Sequence, residues 1–230
     1  MVRILVIDDD QTLTRLLQLE LHDYDVTTAR DGLEGMRVFD GLRPDLVVLD
    51  IGLPLMDGRA VCQRIREISD VPILMMTANP VREEDIAHAL NLGADEFMRK
   101  PLPMVEFQAR LRALLRRTKL ADTDKLLPQG YKDSYLAVDV PLRSVTVNGE
   151  EVRLTPTEFK LLALFVQHPG EVLTFQQLLE SVWGFEYRSE HHYPRIYVSH
   201  LRRKIEADVK NPLYIQSEYG IGYRFVKQNQ

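Results

Sequence analysis

Five short apolar runs, at 3–7, 25–29, 45–49, 72–76 and 95–98, punctuate the first half of the chain. Between and after them, near 11–22, 33–40, 58–68, 83–91 and 103–117, apolar residues recur at helical spacing. Runs of this kind, bounded by turn residues, predict strands buried on both faces, as in a parallel sheet. Crossover helices must then cover both faces, which predicts an α/β, flavodoxin-like, doubly wound five-stranded parallel sheet of order 2-1-3-4-5 over residues 1–117.

The pattern changes after residue 117. Residues 118–134 are polar, contain Pro128 and Gly130 and hold no sustained period, so they read as a linker. Short strands are expected at 135–140, 143–148 and 151–154, with Asn148-Gly149 as a hairpin signal. Thr155-Pro156-Thr157-Glu158 is a complete helix start, and Phe159, Leu162, Ala163 and Val166 follow on one face. Thr174-Phe175-Gln176-Gln177 starts a second helix, which Gly184 stops. A third runs over 193–207. Residues 213–217 and 222–226 then frame a hairpin. Three helices and a hairpin over 135–230 predict an α+β winged-helix domain.

Composition changes the picture in one respect. The net charge of −5 opposes a uniformly basic nucleic-acid binder, but residues 1–122 hold 16 Lys and Arg against 21 Asp and Glu, and residues 123–230 hold 13 against 13. Arg202-Arg203-Lys204 concentrates bases locally, and a local patch is enough for phosphate binding. No apolar run approaches the ~20 residues of a membrane span. The lone Cys62 lies in a helical pattern as a core residue. A cytoplasmic location without membrane partners is expected.

The chemistry gathers at strand ends. Asp8-Asp9-Asp10 follows the first strand and Asp50 ends the third. The carboxyl edge of a parallel sheet forms its ligand crevice, so both groups meet there. Clustered carboxylates call for a hard cation such as Mg²⁺, beside which a carboxylate can accept a phosphoryl group.

Asp8-Asp9, Asp50, Thr77, Gly93-Ala94-Asp95 and Lys100-Pro101 keep the order and spacing of a known domain. With them, the chain resembles the two-component response regulators of the OmpR/PhoB subfamily along essentially its whole length. The resemblance implies that Asp50 is the phosphoacceptor. It implies that Asp9, Asp50 and the Gly52 carbonyl ligate Mg²⁺ (Mn²⁺ able to substitute), with Asp8 acting through water. Lys100 would pair with the phosphoryl oxygens, Thr77 would hydrogen-bond one of them, and a cis Pro101 would aim the lysine inward. Phe97 stands at the switch aromatic, commonly a tyrosine. Residues 83–117 would form the face of an activated homodimer, with Asp95, Glu96, Glu106 and Arg110 at its charged positions and Ile86 where an arginine is usual. The implied partners are a sensor histidine kinase and double-stranded promoter DNA, and some relatives contact RNA polymerase through the loop matching 184–191.

The helix 193–207 has its own geometry. Pro194, Val198, Leu201 and Ile205 make one apolar stripe. The opposite face is expected to present His192, Tyr193, Ile196, Ser199, His200 and Arg203 to base edges, flanked by Arg195 and Arg202 for phosphates. Ser217 and Tyr219 complete the expected DNA contacts from the hairpin, Tyr219 standing where many relatives have an arginine. Trp183 and Phe185 are expected to pack the helix junction. One rival reading is a winged-helix regulator independent of phosphorylation. A more distant one is an aspartyl-phosphate phosphatase, which needs an acid two residues after Asp50 where this chain has Gly52.

Overall fold

The computed structural model describes residues 1–78, 89–118, 130–188 and 190–228. The chain forms two compact units, Met1–Thr118 and Lys119–Gln230. In the first, strands β1 (Arg3–Ile7), β2 (Asp25–Ala29), β3 (Leu46–Asp50), β4 (Ile73–Thr77) and β5 (Glu96–Arg99) make one parallel sheet of order β2-β1-β3-β4-β5. This is the expected order. Every residue of β3 and β4 is buried, as the unbroken apolar runs require.

Helices α1 (Gln11–Glu20), α2 (Gly32–Leu42), α3 (Gly58–Ile68) and α4 (Met104–Thr118) cover the sheet. Ile4, Val6, Val48, Leu74 and Met76 pack with Leu17 of α1 and Phe107, Leu111 and Leu114 of α4. Cys62 of α3 is fully buried, and burial pushes its thiol up to about 11. The helix expected at 83–91 lies outside the described residues apart from 89–91, which are helical, and Ile86 lies outside them too.

In the second unit, β6 (Gly130–Lys132), β7 (Leu136–Asp139), β8 (Ser144–Val147) and β9 (Glu150–Glu151) form an antiparallel sheet in sequence order. The turn between β8 and β9 holds Asn148 at φ 50° and Gly149 at φ 82°, the two left-handed residues that a tight hairpin requires. Helix α5 (Pro156–Gln167) begins with the expected capping box, Thr155 and Glu158 each bonding the other's backbone N–H. Strand β10 (Val172–Thr174) leads into α6 (Phe175–Leu178), which continues as one π-helical turn, Leu179–Trp183, and stops at Gly184. Helix α7 (Tyr193–Ile205) and the hairpin β11 (Ile215–Glu218) and β12 (Gly222–Phe225) complete a winged helix, with sheet order β10-β12-β11.

The structure moves one expected boundary. The stretch 118–134 was expected to be linker, yet β6 lies within it and pairs with β7. Asp133, beside β6, accepts the hydroxyls of Tyr131 at 2.6 Å and Tyr214 at 2.9 Å, and the backbone N–H groups of Tyr135 and Leu136 at 2.7 Å each. Tyr131 also packs edge-on against Phe225.

Candidate functional site

Parallel register brings the strand ends of the first unit together. Ile7 lies beside Leu49 and Thr77 beside Arg99, so Asp8, Asp50, Thr77 and Lys100 all reach the carboxyl edge of the sheet. The N-terminus of α3 closes in from one side, and there is room for it only because residue 58 is glycine. A Cβ on Gly58 would stand 2.0 Å from the Asp50 carbonyl oxygen.

Carboxylate oxygens of Asp8, Asp9 and Asp50 lie within 4.8 Å of one another, with Asp8 and Asp50 buried and Asp9 exposed. Lys100 Nζ stands 2.7 Å from Asp8 Oδ2 and 2.8 Å from Asp50 Oδ1, and the Lys100–Pro101 peptide is cis. The outer oxygens are held by backbone: Asp8 Oδ1 accepts the Asp10 N–H at 3.0 Å and Asp50 Oδ2 accepts the Gly52 N–H at 2.9 Å. Burial raises the Asp8 pKa above the usual carboxylate value, partly offset by Lys100. Burial also works against the charge of Lys100, but its bonds to Asp50 and Asp8 outweigh that and hold its pKa above the ordinary lysine value. Asp10 does not join the cluster. It caps α1 by accepting from the backbone N–H groups of Thr12 and Leu13, a role that an aspartate just before a helical pattern signals. Phe97 on β5 is buried beside Met75 in the register, and the Thr77 carbonyl accepts the Lys100 N–H at 2.8 Å.

In the second unit the expected apolar stripe of α7 is buried in full. The reading face differs from expectation. Tyr193 and His200 are buried, and so is Tyr197. These rings, with Trp183, form a continuous aromatic cluster in which Trp183 contacts both tyrosines edge-on and Tyr197 packs against His200. The helical projection put Tyr193 and His200 outside because the stripe was drawn through aliphatic residues alone, whereas aromatic rings widen the buried face. His192 is half-buried, its ring tilted on Tyr193. Arg195, Ser199 and Arg203 are exposed and Ile196 is half-exposed. Ser217 is exposed, and Tyr219 is 100% exposed at the hairpin tip. Phe185, expected in the helix junction with Trp183, is instead 65% exposed beneath the Arg188 guanidinium.

Residues 4–112 match the family model described as response regulator receiver domain, and residues 149–225 that of transcriptional regulatory protein, C terminal. Response regulator MprA of Mycobacterium ulcerans (strain Agy99) is 40% identical over 225 residues, 96% of each chain. This chain belongs to the OmpR/PhoB-type response regulators. The probable transcriptional regulator ycf27 of Cyanophora paradoxa is likewise 40% identical, over 97% of this chain and 95% of its own. Among solved structures, a mutant of RitR shares the fold at a TM-score of 0.79 and 27% identity, covering 99% of this chain and all of that one. Response regulator DrrB, an OmpR/PhoB homologue of Thermotoga maritima, matches at 0.50 and 26% identity over 98% of this chain and 99% of its own. The protein is a two-component transcriptional regulator with a receiver and a DNA-binding domain, in a family whose members are not conventional enzymes. No helix among the described residues is long and apolar enough to cross a membrane.

The four charged residues expected on the dimer face all have partners within the chain. Asp95 is buried and pairs with Arg66, while its carboxylate also accepts the Ile73 N–H at 3.0 Å. Glu96 is buried and bonds Arg110 Nη1 at 2.6 Å, and Arg110 Nη2 pairs with Glu106 at 2.7 Å. Of the four, only Glu106 offers substantial exposed carboxylate, 47%. Sequence position alone could not separate an inter-chain from an intra-chain partner for these charges. It also gave no signal for Glu206, a buried carboxylate just beyond α7.

Proposed function

We propose that this chain is a transcription factor switched by phosphoryl transfer from a sensor histidine kinase to Asp50. The observation that carries the reading is the Lys100 ammonium seated between Asp8 and Asp50. Asp8 Oδ2 and Asp50 Oδ1 are buried, and the Lys100 ammonium stands against both. Three carboxylates with oxygens within 4.8 Å of one another fit Mg²⁺. Asp9 and Asp50 would hold it with the Gly52 carbonyl, Asp8 acting through water, and Mn²⁺ could substitute. Such an ion would supply charge neutralisation for the phosphoryl oxygens.

The chain's own residues do the rest. An Asp50 carboxylate oxygen attacks the phosphorus of a phosphohistidine, the P–O bond forming as the P–N bond breaks and the histidine leaving as neutral imidazole, which keeps the proton already on its other ring nitrogen. The Gly52 N–H orients the carboxylate, and Lys100 moves to the incoming oxygens. The added group brings about −1.5 to −2 charge, which draws Thr77 toward it and lets Phe97 shift in the space behind. That biases the face at 83–117 toward a symmetric dimer. Two protomers then place α7 in successive major grooves, on half-sites about one turn, ~10 bp, apart. Arg195, Ile196, Ser199 and Arg203 meet the DNA from α7 and Tyr219 from the hairpin, while 184–191 is the segment offered to RNA polymerase. A cytoplasmic location suits these partners.

The test is a genome-wide footprint of the wild type and Asp50→Ala under conditions that activate the kinase. Sites lost in the variant support the reading. An identical footprint would favour the rival regulator that ignores phosphate.

A further inference from the structure

Among the described residues, strand β11 lies at the edge of its sheet and pairs only with β12. An edge strand leaves a row of backbone groups without strand partners. In an antiparallel pair, alternate residues turn both backbone groups toward the neighbour or both away. Just before the strand, the Tyr214 carbonyl accepts the Val226 N–H at 2.8 Å, and the next residue, Ile215, turns its backbone groups away from β12.

Both polar groups of Ile215 are held by side chains of the α7 segment. Its N–H donates to Glu206 Oε1 at 2.8 Å, and its carbonyl accepts from Arg202 Nε at 2.9 Å and Nη2 at 2.5 Å. Glu206 is 8% exposed and also accepts the N–H groups of Leu213 at 2.8 Å and Tyr214 at 3.0 Å. Arg202 Nη2 extends to Ser217 Oγ at 3.0 Å, and the guanidinium lies 5.5 Å from the ring centre of Tyr223 on β12. A buried carboxylate with three backbone donors, and a planar fork on one carbonyl, fix position far better than a flexible ion pair.

We propose that Arg202 and Glu206 are positioning residues that lock the wing hairpin to α7, so that helix and wing meet the duplex as one rigid surface. The proposal rests on α7 being the reading helix. It replaces the role of Arg202 as a phosphate contact with one as the wing's anchor, because Nε and Nη2 are aimed at β11. Ser217, on the same strand, is placed by that grip.

The test uses the full chain with Arg202→Ala, Arg202→Lys and Glu206→Gln, on a duplex selected from random sequence by the wild type. Amide exchange without DNA reads the clamp itself. Arg202→Ala and Glu206→Gln should speed exchange across 213–217, by ~tenfold or more at Ile215 in Glu206→Gln, where a charge-assisted bond is weakened. On DNA, guanine N7 protection opposite α7 should persist while hydroxyl-radical protection on the wing side is lost. Arg202→Lys should behave like Arg202→Ala, since an ammonium keeps the charge but not the fork. A lysine that restores wild-type protection would show a phosphate contact and overturn the proposal. So would unchanged exchange at 213–217 in both Arg202→Ala and Glu206→Gln. If the wild type selects no duplex, the reading of α7 fails, and exchange still decides the clamp.

Discussion

Lys100 and His200 show how burial decides what a charged or titratable side chain does. Lys100 is the cation that stands against two buried carboxylates. Removing one partner of such a group strands the other charges, at about 3–5 kcal/mol. Lys100→Met should therefore lower stability to urea by about that much without metal, and Mg²⁺ should recover more of the loss in the variant than it adds to the wild type. His200 has the opposite character. Burial, with Arg203 and Lys204 nearby and Glu158 opposing, lowers its pKa from 6.5 to about 4. The unfolded chain thus takes up a proton near pH 6.5 that the folded chain refuses until about pH 4. The contribution of His200 to stability should fall as pH drops through that window, by at most ~3 kcal/mol, and level off below it. Replacing His200 by Gln should flatten the curve between pH 6.5 and 4, as read by thermal melts of the second unit across pH. The sequence offered His200 as a reader of bases. Its position on the helix was legible, with Tyr197 one turn before it, but the facing Glu158 was not, because that contact depends on how α7 seats against α5.

At the scale of elements, strands and helices with local signals were legible and those without were hidden. The apolar runs of β1, β3 and β4, the capping box of α5 and the glycine stop at 184 are written in consecutive residues. Strand β6 is not. Its burial comes from Tyr131 packing on Tyr214 and Phe225, more than eighty residues away. Asp133 is the hub of that junction, so Asp133→Ala should leave two hydroxyls and two backbone donors without their acceptor. A loss of about 2–3 kcal/mol is expected, confined to the second unit, where differential scanning calorimetry would see one transition fall and the receiver's stay. Thr155→Ala, which breaks the capping box, should cost about 1 kcal/mol in the same transition.

For the whole molecule, two domains of ordinary size divide chemistry from recognition, and that division was legible from the pattern alone. The receiver's site residues were legible as well, since each sits at a strand end where parallel register must bring them together. The charges at 95–110 were not, since Asp95 and Glu96 have intra-chain partners that no spacing announces. If phosphorylation drives pairing through the rest of that face, analytical ultracentrifugation at micromolar concentration should show dimers only after phosphoryl transfer. DNA affinity should fall steeply with salt, with Arg203→Ala reducing the slope by about one. All of this depends on Asp50 receiving the phosphoryl group. The most direct measurement is intact-protein mass spectrometry after treatment with acetyl phosphate, with and without divalent metal. The wild type and Asp57→Asn should gain a single phosphoryl group only when Mg²⁺ or Mn²⁺ is present, and Asp50→Asn should gain none. Full labelling of Asp50→Asn, or labelling of the wild type that ignores metal, would contradict the account.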